Sequence, residues 1–204
     1  MKQFYKAINT LYNLTDSLLW KVSSLFWTFI VATSARSRGI VLGSNCVFYG
    51  YTKFKKANNA TISIGEKVTF RSSPTSNLIG VNRPCIITAL DRDAKLKIGN
   101  YCGFSGTVIG SFSKITIGDH VKCGANTLIT DGDWHTDDYR SGKSAPILIE
   151  DNVWLGVNVT VLKGVTIGKN TIIGANSVVV KSIPSNSVAA GNPCRVLKEI
   201  SKPV

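Results

Sequence analysis

Histidine is scarce in this chain: His120 and His135 are the only two in 204 residues. A metal centre built on three imidazoles is therefore excluded. The five cysteines (Cys46, Cys85, Cys102, Cys123 and Cys194) form no C-x-x-C pair or other metal-ligand spacing. An odd number of them outside any disulfide pattern points to a reducing compartment. Acidic residues number 12 against 24 basic ones, a net charge of +12. Such an excess suits nucleic acid, an anionic membrane surface or an anionic small molecule. The lysines and arginines are scattered, with no run of the kind that tracks a duplex backbone, so nucleic acid ranks last. In the apolar N-terminal segment the longest charge-free run, Val22 to Ala35, falls short of a comfortable membrane span.

What is abundant is apolar and periodic. With 44% hydrophobic residues the chain is globular, one domain with an appendage. From residue 149 it reads IEDNVW LGVNVT VLKGVT IGKNTI IGANSV VVKSIP, six consecutive blocks of six. The first place is always aliphatic: Ile149, Leu155, Val161, Ile167, Ile173 and Val179. The fifth is small or β-branched: Val153, Val159, Val165, Thr171, Ser177 and Ile183. A period of six fits neither a helix nor an alternating strand. It fits a hexapeptide β-helix, in which three short strands make one triangular coil of ~18 residues and stacked coils share a core.

The same phase returns upstream at Ile117 to Leu128, at Ile98, Gly99 and Cys102, at Ile64, Gly65 and Val68, and at Leu42, Gly43 and Cys46. Cys46, Cys102 and Cys123 then fall on inward places, as small core residues rather than catalytic thiols. His120 falls on a fourth place, outward at a coil corner, as an ordinary surface residue. Residues 130–148 form the largest interruption, and they contain DGDWHTDDYRSG with His135.

Residues 1–37 read differently, as one or two helices with a broad apolar face carrying Trp20, Phe26, Trp27 and Phe29. Either that face packs on the rest of the protein or on a neighbouring subunit, or the segment lies on a membrane. In the second case Lys2, Lys6, Lys21, Arg36 and Arg38 face anionic headgroups.

Blocks of the form [LIV]-G-x-x-[STAV]-x, together with VWLGVNVTVLKGVTIG and the closing GNPCRV, resemble the hexapeptide-repeat acyltransferase family. The resemblance runs over roughly residues 38–200, nearest to the polysaccharide O-acetyltransferase branch and the related maltose and galactoside acetyltransferases. It implies an all-β fold, a left-handed parallel β-helix, with the N-terminal helical segment at 1–37, an extra-coil loop at 130–148 and a short tail at 201–204. It also implies a cytoplasmic homotrimer, either free or peripheral at the inner membrane, with acetyl-CoA as donor, a carbohydrate acceptor and no metal requirement; no nucleic-acid partner is expected. The sites are expected in the grooves between adjacent subunits.

By that resemblance His135 is the general base. A sugar hydroxyl is a poor nucleophile until its proton is removed as it attacks the thioester, and neutral imidazole suits the task. Asp131 and Asp133 are the expected supports for its ring, or else ligands of the acceptor. Gly156 or Val157 is expected to offer a backbone N–H to the thioester oxygen. The cofactor is expected along Gly156, Val157, Gly174, Ala175 and Lys181, with Arg195 and Lys198 on its phosphates. Glycines at the second place are expected to let the pantetheine arm run close to the coil edge. Asn77, Asn82, Arg83 and Ser105 either bind the acceptor or cap loops, and Trp134 either stacks on a sugar or holds the loop. The expected reaction is O-acetylation of a sugar hydroxyl in capsule, exopolysaccharide or O-antigen assembly. N-acetylation of an amino sugar, a nucleotide sugar or an amine-bearing antibiotic stands as the alternative.

Overall fold

The computed structural model describes residues 1–135 and 137–200, so the tail expected at 201–204 lies outside the described residues. Beyond one N-terminal helix, Lys2–Ser37, the chain winds as a three-faced parallel β-helix. The first face runs from Val41–Leu42 through Thr61–Ile64, Lys95–Ile98, Lys114–Ile117 and Ile147–Ile149 to Thr166–Ile167. The second runs from Val47–Tyr49 to Ser187–Ala190 and ends on Arg195–Glu199, the one antiparallel pairing among the described strands. The third runs from Lys53–Lys56 to Val178–Val179.

Register stacks like positions on like. Leu42, Ile64, Ile98, Ile117, Ile149 and Ile167 form one inward column. Phe48, Phe70, Phe104, Cys123, Leu155, Ile173 and Ala189 form the second. In that column the rings of Phe48 and Phe70 stack at 5.0 Å and those of Phe70 and Phe104 at 5.3 Å. Every first-place and fifth-place residue of the six C-terminal blocks is buried, as the hexad pattern demands. All five cysteines are buried and unpaired by disulfide. Burial pushes the Cys102 thiol up to about 12 and raises that of Cys123, so neither is a thiolate at neutral pH.

The fourth place makes the corners. Asn152, Asn170 and Asn186 turn with φ between +55° and +60°, as do His120 and Tyr101 in earlier coils at +58° and +57°. Asparagine tolerates this left-handed conformation better than most residues. Its amide also ladders along the corner: Asn152 donates to Asn170 at 3.0 Å and Asn170 to Asn186 at 2.8 Å. His120 fits there as an exposed corner residue, its ring stacked on Tyr101 at 4.8 Å.

The helix closes the open end of the stack. Val31, Ala32 and Ala35 join the core cluster, with Trp27 packed against it. The hydroxyl of Thr28 accepts the N–H of Phe48 at 3.0 Å, a first-coil amide with no earlier coil to bond. The expectation that the apolar segment packs on the rest of the protein holds for this C-terminal part. From Met1 to Leu19 the described side chains are exposed instead. By length and composition alone the helix is long and apolar enough to cross a membrane.

Phe70, sandwiched between two rings and fully buried, is the point where this core is most sensitive. Phe70→Ala should cost ~3–5 kcal/mol of stability, because the cavity between the flanking rings cannot collapse. Chemical unfolding of variant and wild type side by side reads this directly; a loss under about 1 kcal/mol would refute it.

Candidate active site

Between Leu128–Thr130 on the third face and Ile147–Ile149 on the first, the chain leaves the stack and returns. The excursion is pinned at its root. Asp131 is fully buried, and its carboxylate accepts the N–H groups of Phe112 (2.5 Å) and Ser113 (3.0 Å) and the hydroxyl of Ser111 (3.1 Å). Further out, Asp133 accepts from Lys163 Nζ at 2.7 Å and from Gly142 N–H at 2.9 Å, which clasps the two limbs of the loop to the next coil. The Lys163 ammonium and the Gly142 amide hold the Asp133 carboxyl below its ordinary value.

Trp134 lies edge-on to Phe112 at 5.4 Å and covers Gly110, where a Cβ would come within 2.6 Å of the indole. Gly110 is thus the socket that seats the loop. Of the two roles open to Trp134, packing is plainly one, and its half-exposed remainder leaves room for the other. His135 follows on the exposed side of the loop. Its carbonyl accepts the N–H of Asp138 at 3.0 Å and the hydroxyl of Ser141.

Two expectations change here. Neither Asp131 nor Asp133 is hydrogen-bonded to the His135 ring: Asp131 serves the coil turn, and Asp133 Oδ2 takes Lys163 and Gly142. Both act instead on the backbone that carries His135. Lys163 and Gly110 are the partners that sequence reasoning missed. The only available signal was that a loop inserted after Thr130 must pass over the coils beside it.

The remaining expected residues gather on another edge of the prism, the corner between the second and third faces. Gly156 and Gly174 are stacked there, one coil apart. A Cβ on Gly156 would come within 2.6 Å of the Ala175 nitrogen, and one on Gly174 within 2.8 Å of Ala190 Cβ. The next coil therefore already requires glycine at these places, and no pantetheine arm is needed to explain them. The Gly156 N–H donates to the Ile173 carbonyl at 2.8 Å, so of the two oxyanion donors considered, Val157 remains.

Ala175 is exposed on the same corner. Arg195 pairs with Ala190 in the closing strand, which brings it alongside Gly174, and Lys198 pairs with Val188 on the same strand. Lys181 is not with them; it lies past Val178–Val179, at the far side of the third face. Upstream on this corner, Asn77 donates to the Ser105 hydroxyl at 3.1 Å. Asn82 N–H and Arg83 donate to the side chain and carbonyl of Asn126 at 3.1 Å and 2.6 Å. These bonds cap the 71–85 loop, the second of the two roles considered for those residues.

One chain thus carries two groups of expected site residues on two different edges, with the third face between them. On the second face Trp154 is 54% exposed above a hollow lined by His120, Lys122, Asn152, Asn170 and Ile172.

Residues 146–181 match the family described as bacterial transferase hexapeptide (six repeats). The galactoside O-acetyltransferase of Escherichia coli (strain K12) is 44% identical over 105 residues, covering 50% of this chain and 51% of that protein. A hexapeptide-repeat containing acetyltransferase from Vibrio cholerae is 25% identical across 96% of this chain and 94% of its own, with a TM-score of 0.55. The structure of that acetyltransferase complexed with acetyl coenzyme A aligns at a TM-score of 0.50, with 26% identity over 83% of this chain and 76% of its own. The chain spans about half the length of the curated relatives it matches.

Fold and repeat together define the class, a left-handed parallel β-helix built from hexapeptides. Within it, residues 146–181 of this chain match the six-repeat hexapeptide of bacterial transferases.

The clasp makes a test. Lys163→Met should free the loop at pH 7, seen as several-fold faster trypsin cleavage after Arg140 and Lys143 with the coil stack intact. Because the folded Asp133 carboxyl titrates below its ordinary value, the clasp contributes fully above pH ~4 and is lost as pH falls through the depressed value. Protection of the Gly142 amide against hydrogen exchange should follow that course; equal protection at pH 2 and pH 6 would refute it.

Proposed function

We propose that this protein is an acetyl-CoA-dependent O-acetyltransferase acting on a sugar hydroxyl in cell-surface polysaccharide assembly, with His135 as general base. One observation carries the reading above others: of the two long excursions that break the repeat, the one carrying the histidine is clasped to the coils while presenting His135 to solvent. The relatives support the donor, since one is a galactoside O-acetyltransferase and another was solved with acetyl coenzyme A.

In this reaction the His135 imidazole takes the hydroxyl proton as the sugar oxygen attacks the thioester carbonyl. The carbonyl oxygen becomes an oxyanion beside the Val157 N–H. Collapse of the tetrahedral adduct breaks the C–S bond, and the imidazolium returns its proton to the leaving thiolate. The products are the acetyl ester and free CoA, with no covalent enzyme intermediate. Basic Arg195 and Lys198 suit the cofactor's phosphates, and Lys181, on the same edge as the His135 loop, faces that cofactor from the adjacent subunit in this reading.

The working unit in this reading is a cytoplasmic homotrimer. The His135 loop and the Val157–Ala175–Arg195 corner stand on different edges of one prism, so a neighbour's corner is what meets each loop. The exposed Trp154 face supplies apolar surface for such packing.

Turnover of acetyl-CoA over a panel of glycans and amino sugars tests this. His135→Ala should lower kcat ~10²–10⁴-fold while calorimetry shows CoA bound as in the wild type. Unchanged turnover would remove His135 from the mechanism, and a wild type that binds no CoA would remove the donor. Preference for an amine acceptor would replace the O-acetyl reading by N-acetylation.

A further inference from the structure

The N-terminal helix divides lengthwise into two unlike halves. At ~100° per residue, the thirteen large apolar side chains exposed between Phe4 and Ile30 all fall within one half of its circumference, bounded by Leu14 on one side and Tyr5 on the other. Their exposure runs from 41% at Ile30 to 71% at Leu25. Lys2, Lys6, Asn9, Asn13, Asp16 and Lys21 fall on the opposite half. So do Trp20, Trp27, Val31 and Ala35, through which the helix meets the β-helix. The apolar half therefore points away from the protein's own body over roughly 40 Å of helix. Thr15 is the one polar residue well inside it, and its hydroxyl is already donated to the Tyr12 carbonyl at 2.9 Å.

Charge is uneven in the same part of the molecule. Residues 1–65, the helix and the coil beneath it, hold eight of the 24 basic residues but only one of the 12 acidic ones, Asp16. More than half of the net charge of +12 thus sits in the first third of the chain.

From these two asymmetries we infer that the helix Lys2–Ser37 lies flat on an anionic lipid bilayer. Its apolar half sinks to the boundary between headgroups and acyl chains, and the β-helix is held on the water side. The width of the apolar arc selects this occupant. A partner helix covers only a narrow seam, which leaves most of a half-circumference bare, whereas a bilayer surface covers all of it. Length and composition alone also permit the helix to cross a membrane. That orientation would carry Asn9, Asn13, Asp16 and Lys21 into hydrocarbon, at a cost that lying flat avoids. Tyr5 and Tyr12 stand at one border of the arc, where amphipathic rings meet the headgroups. Lys21 stands at the other, its stem along the apolar surface and its ammonium among lipid phosphates.

This inference stands apart from the transferase reading, and its test uses no catalytic readout. The full chain should float with equimolar phosphatidylglycerol–phosphatidylcholine vesicles and bind pure phosphatidylcholine at least ~10-fold less at low salt. Leu11→Gln with Leu18→Gln removes apolar surface from the arc at unchanged charge. It should weaken binding at least ~10-fold, with circular dichroism and sedimentation mass kept. Binding to neither vesicle, equal binding to both, or wild-type binding by the double variant would overturn the proposal. So would a lower assembly mass in the double variant, which assigns the arc to an interface between copies. Orientation is read from a polarity-sensitive dye on one introduced thiol, the five native cysteines being buried. Dye on Leu18→Cys should shift to the blue on vesicles while dye on Asn13→Cys does not. Equal shifts would replace the flat helix by one that crosses the bilayer.

Discussion

Every part of this protein answers to the hydrogen-bond ladder between successive coils. No coil can bury its own inward side chains or satisfy its own strand amides; it needs the coil before and the coil after. Trp154 N–H reaches Thr171, Gly156 N–H reaches Ile173 and Thr160 N–H reaches Ser177, all at 2.8–2.9 Å. Residues that meet in register here are 18 apart, as Ile149 and Ile167 are. Where the count departs from that, the excess cannot be absorbed inside a strand without turning every side chain to the wrong face. It has to leave at a corner. Ile117 and Ile149 are register neighbours although 32 residues apart, and the difference is the His135 loop.

The same ladder explains why the loop is stiff. Its root grows from backbone that the neighbouring coils already fix, and Asp131 satisfies turn amides at Phe112 and Ser113 that no coil reaches. A buried carboxylate with three hydrogen-bond donors is costly to disturb. Trp134 then sits in the space left by the absent side chain of Gly110. The clasp from Lys163 is partly exposed and screened, so it steers the loop's outer limbs more than it stabilises the fold. Two loop aspartates thus hold the chain that holds His135.

The sequence made the β-helix legible because inward places one and five repeat without exception over residues 149–184, and burial follows them residue by residue. The corner at His120 was legible from its fourth place, whereas the asparagines that turn the other corners with left-handed φ emerge only with the backbone. The pairing of the loop's carboxylates was not legible. Asp131 and Asp133 are four and two residues from His135, and proximity in sequence suggested a catalytic partnership. Where a side chain in a long excursion ends up depends on which coil the loop passes over, and the hexad says nothing about that. Glycine at the second place misled in the opposite sense, since one residue type meets two demands. Close approach of a ligand and close approach of the next coil both require it, and the coil suffices here.

The division of the site between two edges has a simple geometric origin. A straight prism presents three separate corners, and each corner can carry only what its own turns supply. The corner between the third and first faces has room for a loop, because the chain is interrupted there. The corner between the second and third faces is kept narrow by Gly156 and Gly174, and the closing strand lays Arg195 along its end. No folding of one chain can bring these corners together, because the third face and its packed core stand between them. On the proposed function, base and thioester cradle come from different prisms, and oligomerisation is what that proposal requires.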